Sequence, residues 1–172
     1  TFETFVQRSE NADKLFEYIA GAIVEVPSNP YSSKISQRIS GELYIYLKQN
    51  DIGHLTGEAG GYQVGTGRYA PDVAFISYEK QAELVKAGYN PNPPDLVVEV
   101  VSSDSSAENK SLTIKLSDYL AVDTLVWIVR PDDKYVEVHR AGKPAEIKYE
   151  NDTLSGDNIL PDFKLAVKDI FR

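Results

Sequence analysis

The stretch that decides the fold runs from Arg68 to Tyr119. It opens with RYAPDVAFIS (Arg68–Ser77) and, after a polar insert, closes with PPDLVVEVVSSDSSAENKSLTIKLSDY (Pro93–Tyr119). The reading is strand, strand, helix. Leu96–Val101 is a short apolar run bounded by turn residues, as expected of a strand covered on both faces. Ser105 and Glu108, three positions apart, are a candidate capping box, predicting a helix from there to about Val122. Glu99 stands in the middle of the apolar run, where an ionised side chain is costly to bury unless something pairs with it. That anomaly is the functional clue.

A partner for Glu99 has to come from elsewhere in the chain. The dipeptide Pro-Asp precedes both strands, as Pro71-Asp72 and Pro94-Asp95. Asp95 shares the face of Glu99, but four extended residues span roughly 13 Å, too far to hold one ion together. Asp72, on the preceding strand, becomes a neighbour if consecutive strands pair. Two converging carboxylates repel unless a proton or cation intervenes. A hard cation such as Mg²⁺ or Mn²⁺, held by one or two carboxylates with water and phosphate oxygens, fits that pair. Such an arrangement favours phosphodiester hydrolysis.

The helix after Glu99 offers two lysines. At about 100° per residue, Lys115 lies within about 60° of Leu112 on the apolar side, while Lys110 lies nearly opposite, at about 160°. Lys115 is therefore the lysine able to flank the sheet. Its bland alternative is a boundary lysine whose stem covers apolar surface. If the segments 54–64 and 68–77 pair around Gly65-Thr66-Gly67, Gly60 opposes Asp72 and Glu58 shares that face one diagonal away. Glu58 is thus a further candidate. Glu17 and Glu25, from an N-terminal strand pair, could also reach the site, and nothing in the sequence selects between them.

The rest of the chain supplies the scaffold. Residues 13–26, punctuated by Gly21, read as a hairpin-like pair. Ile35, Ile39, Leu43, Tyr46 and Leu47 recur at helical spacing, giving an amphipathic helix over about 31–50, with Gly53 suited to a left-handed cap beyond it. Residues 79–93 read as a short polar helix and a proline-rich loop. Leu125–Val129 and Tyr135–His139 are two more strands, and Glu146–Tyr149 and the C-terminal PDFKLAVKDIF read as edge strands and a turn. Trp127 reads as core. Mixed strands with two main helices imply an α/β sheet covered by helices, and 172 residues suit a single domain over 1–172.

Composition narrows the function. There is no cysteine, which removes disulfides, thiolate metal sites and cysteine nucleophiles. No apolar run approaches the ~20 residues that cross a bilayer, so a cytoplasmic setting is expected. The formal net charge of −8 argues against a broad basic footprint for nucleic acid. A carboxylate-rich site can gain local positive charge from a bound divalent ion instead.

The order FEYIAGAIVEV, helix, GEAGGYQV, RYAPDVAFIS, PPDLVVEVVS, a K-x-x-x-Y helix and LVWIVRPDDKYVEVHR resembles the Uma2 family (DUF820) of restriction-endonuclease-like proteins, from about Phe16 to Phe171. The resemblance implies the PD-(D/E)XK nuclease fold, a mixed central β-sheet flanked by helices, with Asp72 and Glu99 as the metal-binding acids. The lysine expected two residues after the acid falls at Val101. In this family it is thought to come from the following helix, and Lys115 is the matching position. The chain also reads Ser102-Ser103-Asp104 where many relatives have Ser-Pro, and has Ser32 and Ser33 where a histidine is frequent.

The expectation is a Mg²⁺- or Mn²⁺-dependent endonuclease, with metal on Asp72 and Glu99, Lys115 assisting the attacking water or the phosphate, and Glu58 assisting. Nucleic acid, with DNA foremost, is the expected partner, and a homodimer would suit two-strand cleavage by analogy. The rival reading, drawn from the acidic charge, is a non-catalytic nucleic-acid-associated or protein-interaction module that retains the fold.

Overall fold

A computed structural model describes residues 1–172. The chain opens with a short helix, α1 (Phe2–Val6), and a hairpin of β1 (Phe16–Ile19) and β2 (Ala22–Glu25). Ala20 and Gly21, between those strands, take φ of 47° and 85°, the left-handed pair that a two-residue hairpin turn of primed type requires. Helix α2 (Pro30–Gln49) follows. Asn29 caps it by accepting from the Ser32 amide at 2.9 Å, and Pro30 occupies the first turn, where its missing N–H costs nothing. Strands β3 (Gly53–Gly57), β4 (Tyr62–Val64), β5 (Gly67–Tyr69), β6 (Val73–Ser77) and β7 (Leu96–Val100) lead to α3 (Ser106–Ala121). Strands β8 (Leu125–Arg130), β9 (Tyr135–His139), β10 (Glu146–Lys148), β11 (Thr153–Ser155) and β12 (Lys164–Ala166) and helix α4 (Val167–Phe171) complete the chain.

The central sheet has six strands in the order β10-β9-β8-β7-β6-β3. Its β7–β8 pair is parallel and connected through α3, and its other pairs are antiparallel. Strand parity then sorts the core. Leu96, Val98 and Val100 face α2, packing with Ile35, Ile39, Leu43, Phe75 and Trp127, and β12 and α4 close that side with Leu165, Val167 and Ile170. Val97 faces the other way, onto Leu112 and Tyr119 of α3 and onto Ile19, Tyr62, Val64 and Tyr69. Those last four residues belong to a second sheet, ordered β2-β1-β5-β4. Glu99 has the parity of Val97 and so points toward α3 and this second sheet. The expected α/β architecture, a mixed sheet flanked by helices, is what forms. No helix is long and apolar enough to cross a membrane.

Three local expectations are corrected. The segments 54–64 and 68–77 do not make one long hairpin. Gly65 and its neighbours do turn β4 into β5, but that pair lies in the second sheet, while β3 pairs with β6 in the central one. The chain between β3 and β6 is thus a smaller hairpin lifted out of the main sheet. Residues 79–93 form turns and bends rather than a helix. The amides of Gln81, Asn90 and Asn92 bond one another there, and the backbone of Asn90 pairs with Gly61 and Gln63, so tertiary bonds replace helical ones. Gly53 lies in β3 rather than in a left-handed cap. A Cβ at that position would run into the Ile76 carbonyl and the Phe75 ring, so close approach explains the glycine.

Candidate active site

The site forms where β6 and β7 meet the start of α3. In the β6–β7 ladder Val73 pairs with Val98 and Ala74 with Val97, and continuing that register by one residue sets Asp72 opposite Glu99. Just beyond the last β6 pair, Asp72 breaks the ladder with its side chain: Oδ2 accepts from the Val100 amide at 2.7 Å. Burial pushes the Asp72 carboxyl up to about 6, against the lowering effect of that amide and of Lys115. Glu99 is 8% exposed. Burial raises its carboxyl also; Lys115 opposes the rise, and Glu17 and Asp72 add to it.

Helix α3 presents Leu112, Lys115 and Tyr119 on its buried face, while Lys110 is exposed. Lys115 Nζ lies 2.9 Å from Glu99 Oε1 and 2.8 Å from Glu17 Oε1. Burial alone would lower the pKa of this amine, but the two carboxylates outweigh burial and hold it well above the usual lysine range. The ring of Tyr69 sits 5.7 Å from the ammonium, within cation–π range. Tyr119 donates to Glu99 Oε1 at 3.0 Å, and Tyr69 donates to Asp118.

The sequence-predicted residues are therefore unequally placed. Asp72, Glu99 and Lys115 converge. Asp95 lies at the far end of β7, where it accepts from the Ser77 amide at 2.7 Å, consistent with its removal by reach. Glu58 falls in an exposed turn after β3. Since Gly57 pairs with Val73, Glu58 occupies the position across from Asp72, in place of the expected Gly60, and its charge contributes to the raised pKa of Asp72. The structure also separates two acids that the sequence left equal. Glu17 is buried against Lys115, whereas Glu25 is exposed and pairs with Lys14 at 3.7 Å. Tyr119 and Tyr69 complete the surroundings. Tyr119 carried a readable signal, lying one helical turn after Lys115 on the same face; Tyr69 carried none.

Glu17, Asp72, Glu99 and Lys115 line one cavity of about 250 Å³, walled by Val24, Val26 and Leu112. Oδ2 of Asp72 and Oε1 of Glu99 are committed to protein donors, which leaves Asp72 Oδ1 and Glu99 Oε2 for a ligand. No three His, Cys, Asp or Glu side chains gather as a metal-binding group. Two carboxylates with free oxygens still match the donor set of Mg²⁺, which keeps waters and takes phosphate oxygens.

A mixed central sheet flanked by helices is the architecture of a nuclease-like fold. The chain belongs to the Uma2 family, described as "Putative restriction endonuclease", which it matches over residues 2–168. A crystal structure of "a putative nuclease belonging to DUF820" from Anabaena variabilis ATCC 29413 superposes with a TM-score of 0.82. That likeness covers 99% of this chain and 97% of the other at 22% sequence identity, so it speaks to the fold. No curated protein matches the chain in sequence.

Proposed function

We propose that residues 1–172 form a divalent-cation-dependent nuclease that hydrolyses phosphodiester bonds of nucleic acid, DNA foremost. The observation that carries this reading is the placement of Asp72 and Glu99 across neighbouring strand ends, with Lys115 Nζ 2.9 Å from Glu99. Asp72, fixed by the Val100 amide, and Glu99, fixed by Tyr119, would hold Mg²⁺ or Mn²⁺ through their remaining oxygens. When bound, such a cation supplies Lewis-acid polarisation of the phosphate and a more acidic water. Lys115 carries the one positive charge lining the cavity, placed to donate to the phosphate or to the attacking water as negative charge builds. Glu58, exposed and across from Asp72 in register, would assist. Cutting both strands of a duplex would call for two such sites, which a symmetric dimer supplies.

The test is cleavage of plasmid and labelled oligonucleotides with Mg²⁺ or Mn²⁺, comparing the parent with Asp72→Ala, Glu99→Ala and Lys115→Ala. Loss of cleavage in all three supports the assignment. A parent that neither cleaves nor binds Mn²⁺ in a Glu99-dependent manner overturns it in favour of a non-catalytic module with the same fold.

A further inference from the structure

Glu17 is 4% exposed on β1, a strand of the second sheet rather than of the central one. A buried carboxylate needs partners, and Glu17 has two on a single oxygen. Its Oε1 accepts from the Ala70 amide at 2.9 Å and from Lys115 Nζ at 2.8 Å. The first contact ties it to the backbone two residues before Asp72. The second ties it to the ammonium that also touches Glu99. An ordinary structural ion pair would explain the burial, but two further observations point beyond it. The ammonium that Glu17 holds also lies 2.9 Å from Glu99, so its carboxylate serves a lysine that faces the acid pair. The hairpin that carries Glu17 also forms the cavity wall opposite α3, through Val24, Glu25, Val26 and Pro27.

The consequence concerns what happens when Glu99 turns to a cation. The positive charge arriving on Glu99 repels the ammonium beside it, and with Glu99 as its one carboxylate partner Lys115 would be displaced. Glu17 supplies a second anchor on the far side. With two of its three N–H donors directed at carboxylates, the ammonium keeps a third for the cavity. We infer that Glu17 is a positioning residue that holds Lys115 at the reacting phosphate while Glu99 is engaged with metal, so that the β1–β2 hairpin is a working part of the site. This inference rests on the nuclease reading of the same site.

The test compares Glu17→Ala, which removes the acceptor, with Glu17→Gln, whose amide oxygen can still accept from Ala70 and Lys115; Glu17→Asp replaces the alanine variant should that not fold. Glu17→Ala is expected to lower kcat about 10- to 100-fold, the range typical of lost outer partners of a metal site. KM and Mn²⁺ affinity should stay within about twofold, and Glu17→Gln should recover much of the lost kcat. An unchanged kcat overturns the inference, and so does a large loss of Mn²⁺ affinity, which would make Glu17 a ligand. A second readout does not need turnover. With ¹⁵N-lysine labelling, the ammonium signal of Lys115, assigned by its absence in Lys115→Met, should disappear in Glu17→Ala and persist in Glu17→Gln. Persistence in both overturns the inference. If the parent does not cleave, the nuclease reading falls, and this signal by itself decides whether Glu17 holds Lys115.

Discussion

The Tyr119 hydroxyl donates to Oε1 of Glu99 over 3.0 Å, and Lys115 approaches the same oxygen at 2.9 Å from one turn earlier on α3. One helix face therefore loads one carboxylate oxygen and leaves the other open. Burial and the neighbouring Glu99 hold the Tyr119 hydroxyl well above its usual pKa, so it remains a donor. Tyr119→Phe removes a bond to a buried acid and should cost about 1.5–3 kcal/mol in urea unfolding. Cleavage should fall by a smaller factor than in Lys115→Ala, because the lysine remains to orient Glu99.

Lys115→Met should be the most destabilising change at the site. Lys115, Glu17 and Glu99 are all buried, and removing one partner from a buried ion pair leaves uncompensated charge, typically costing about 3–5 kcal/mol. Two acids are orphaned here. Equilibrium denaturation at neutral pH should show the loss, and adding Glu17→Gln to Lys115→Met should restore part of it by removing one stranded charge.

Asp72 gives a pH dependence of definite sign. Its folded pKa, about 6, lies above the ordinary value of 3.8, with burial as the main cause. A raised carboxyl favours the protonated fold, so its stability contribution is full below about pH 4 and is lost as pH rises through about 6. Asp72→Asn does not titrate and can keep an oxygen for the Val100 amide. Without divalent cations, the variant should gain on the parent between pH 4 and 6 and hold that lead above, by at most about 3 kcal/mol. Urea titrations across that range, with chelator present, measure the gap. A gap that shrinks as pH rises would mean that the Val100 amide outweighs burial.

What could be read in the sequence follows from how local each signal is. The helix expected over 31–50 forms as Pro30–Gln49, and Ser105 caps α3 as its spacing with Glu108 suggests. Both are encoded within a few turns. The meeting of Asp72 with Glu99 follows from the adjacency of consecutive strands, and that of Lys115 with Glu99 from helical periodicity. Glu17 and Glu25 could not be separated, because which face of the β1–β2 hairpin is buried depends on how the second sheet docks against α3. The same docking hid the split of the expected long hairpin. In the 79–93 insert, helical spacing lost to amides that bond each other and the backbone near Gly61.

Gly53 illustrates that difference and is testable. As a helix cap it would need left-handed backbone, and alanine would cost little beyond that. In β3 the cost is instead collision with the Ile76 carbonyl and the Phe75 ring. Gly53→Ala should destabilise by about 1–3 kcal/mol through overpacking. Trimming Phe75 to leucine in the same chain should recover part of the loss, because the ring can yield where the carbonyl cannot.

Glu99→Gln separates the structural and metal-binding parts of the central glutamate. Its amide can still accept from Tyr119, and Lys115 retains Glu17, so the unfolding free energy without metal should change by less than about 1 kcal/mol. The parent, if it binds a divalent ion through Asp72 and Glu99, should be stabilised by mass action, by about 2.7 kcal/mol at a hundredfold excess over Kd. Thermal unfolding with increasing Mn²⁺ should therefore raise Tm in the parent and leave Glu99→Gln nearly flat. Equal rises in the two proteins would place the cation elsewhere on this acidic chain and remove Glu99 from the metal site.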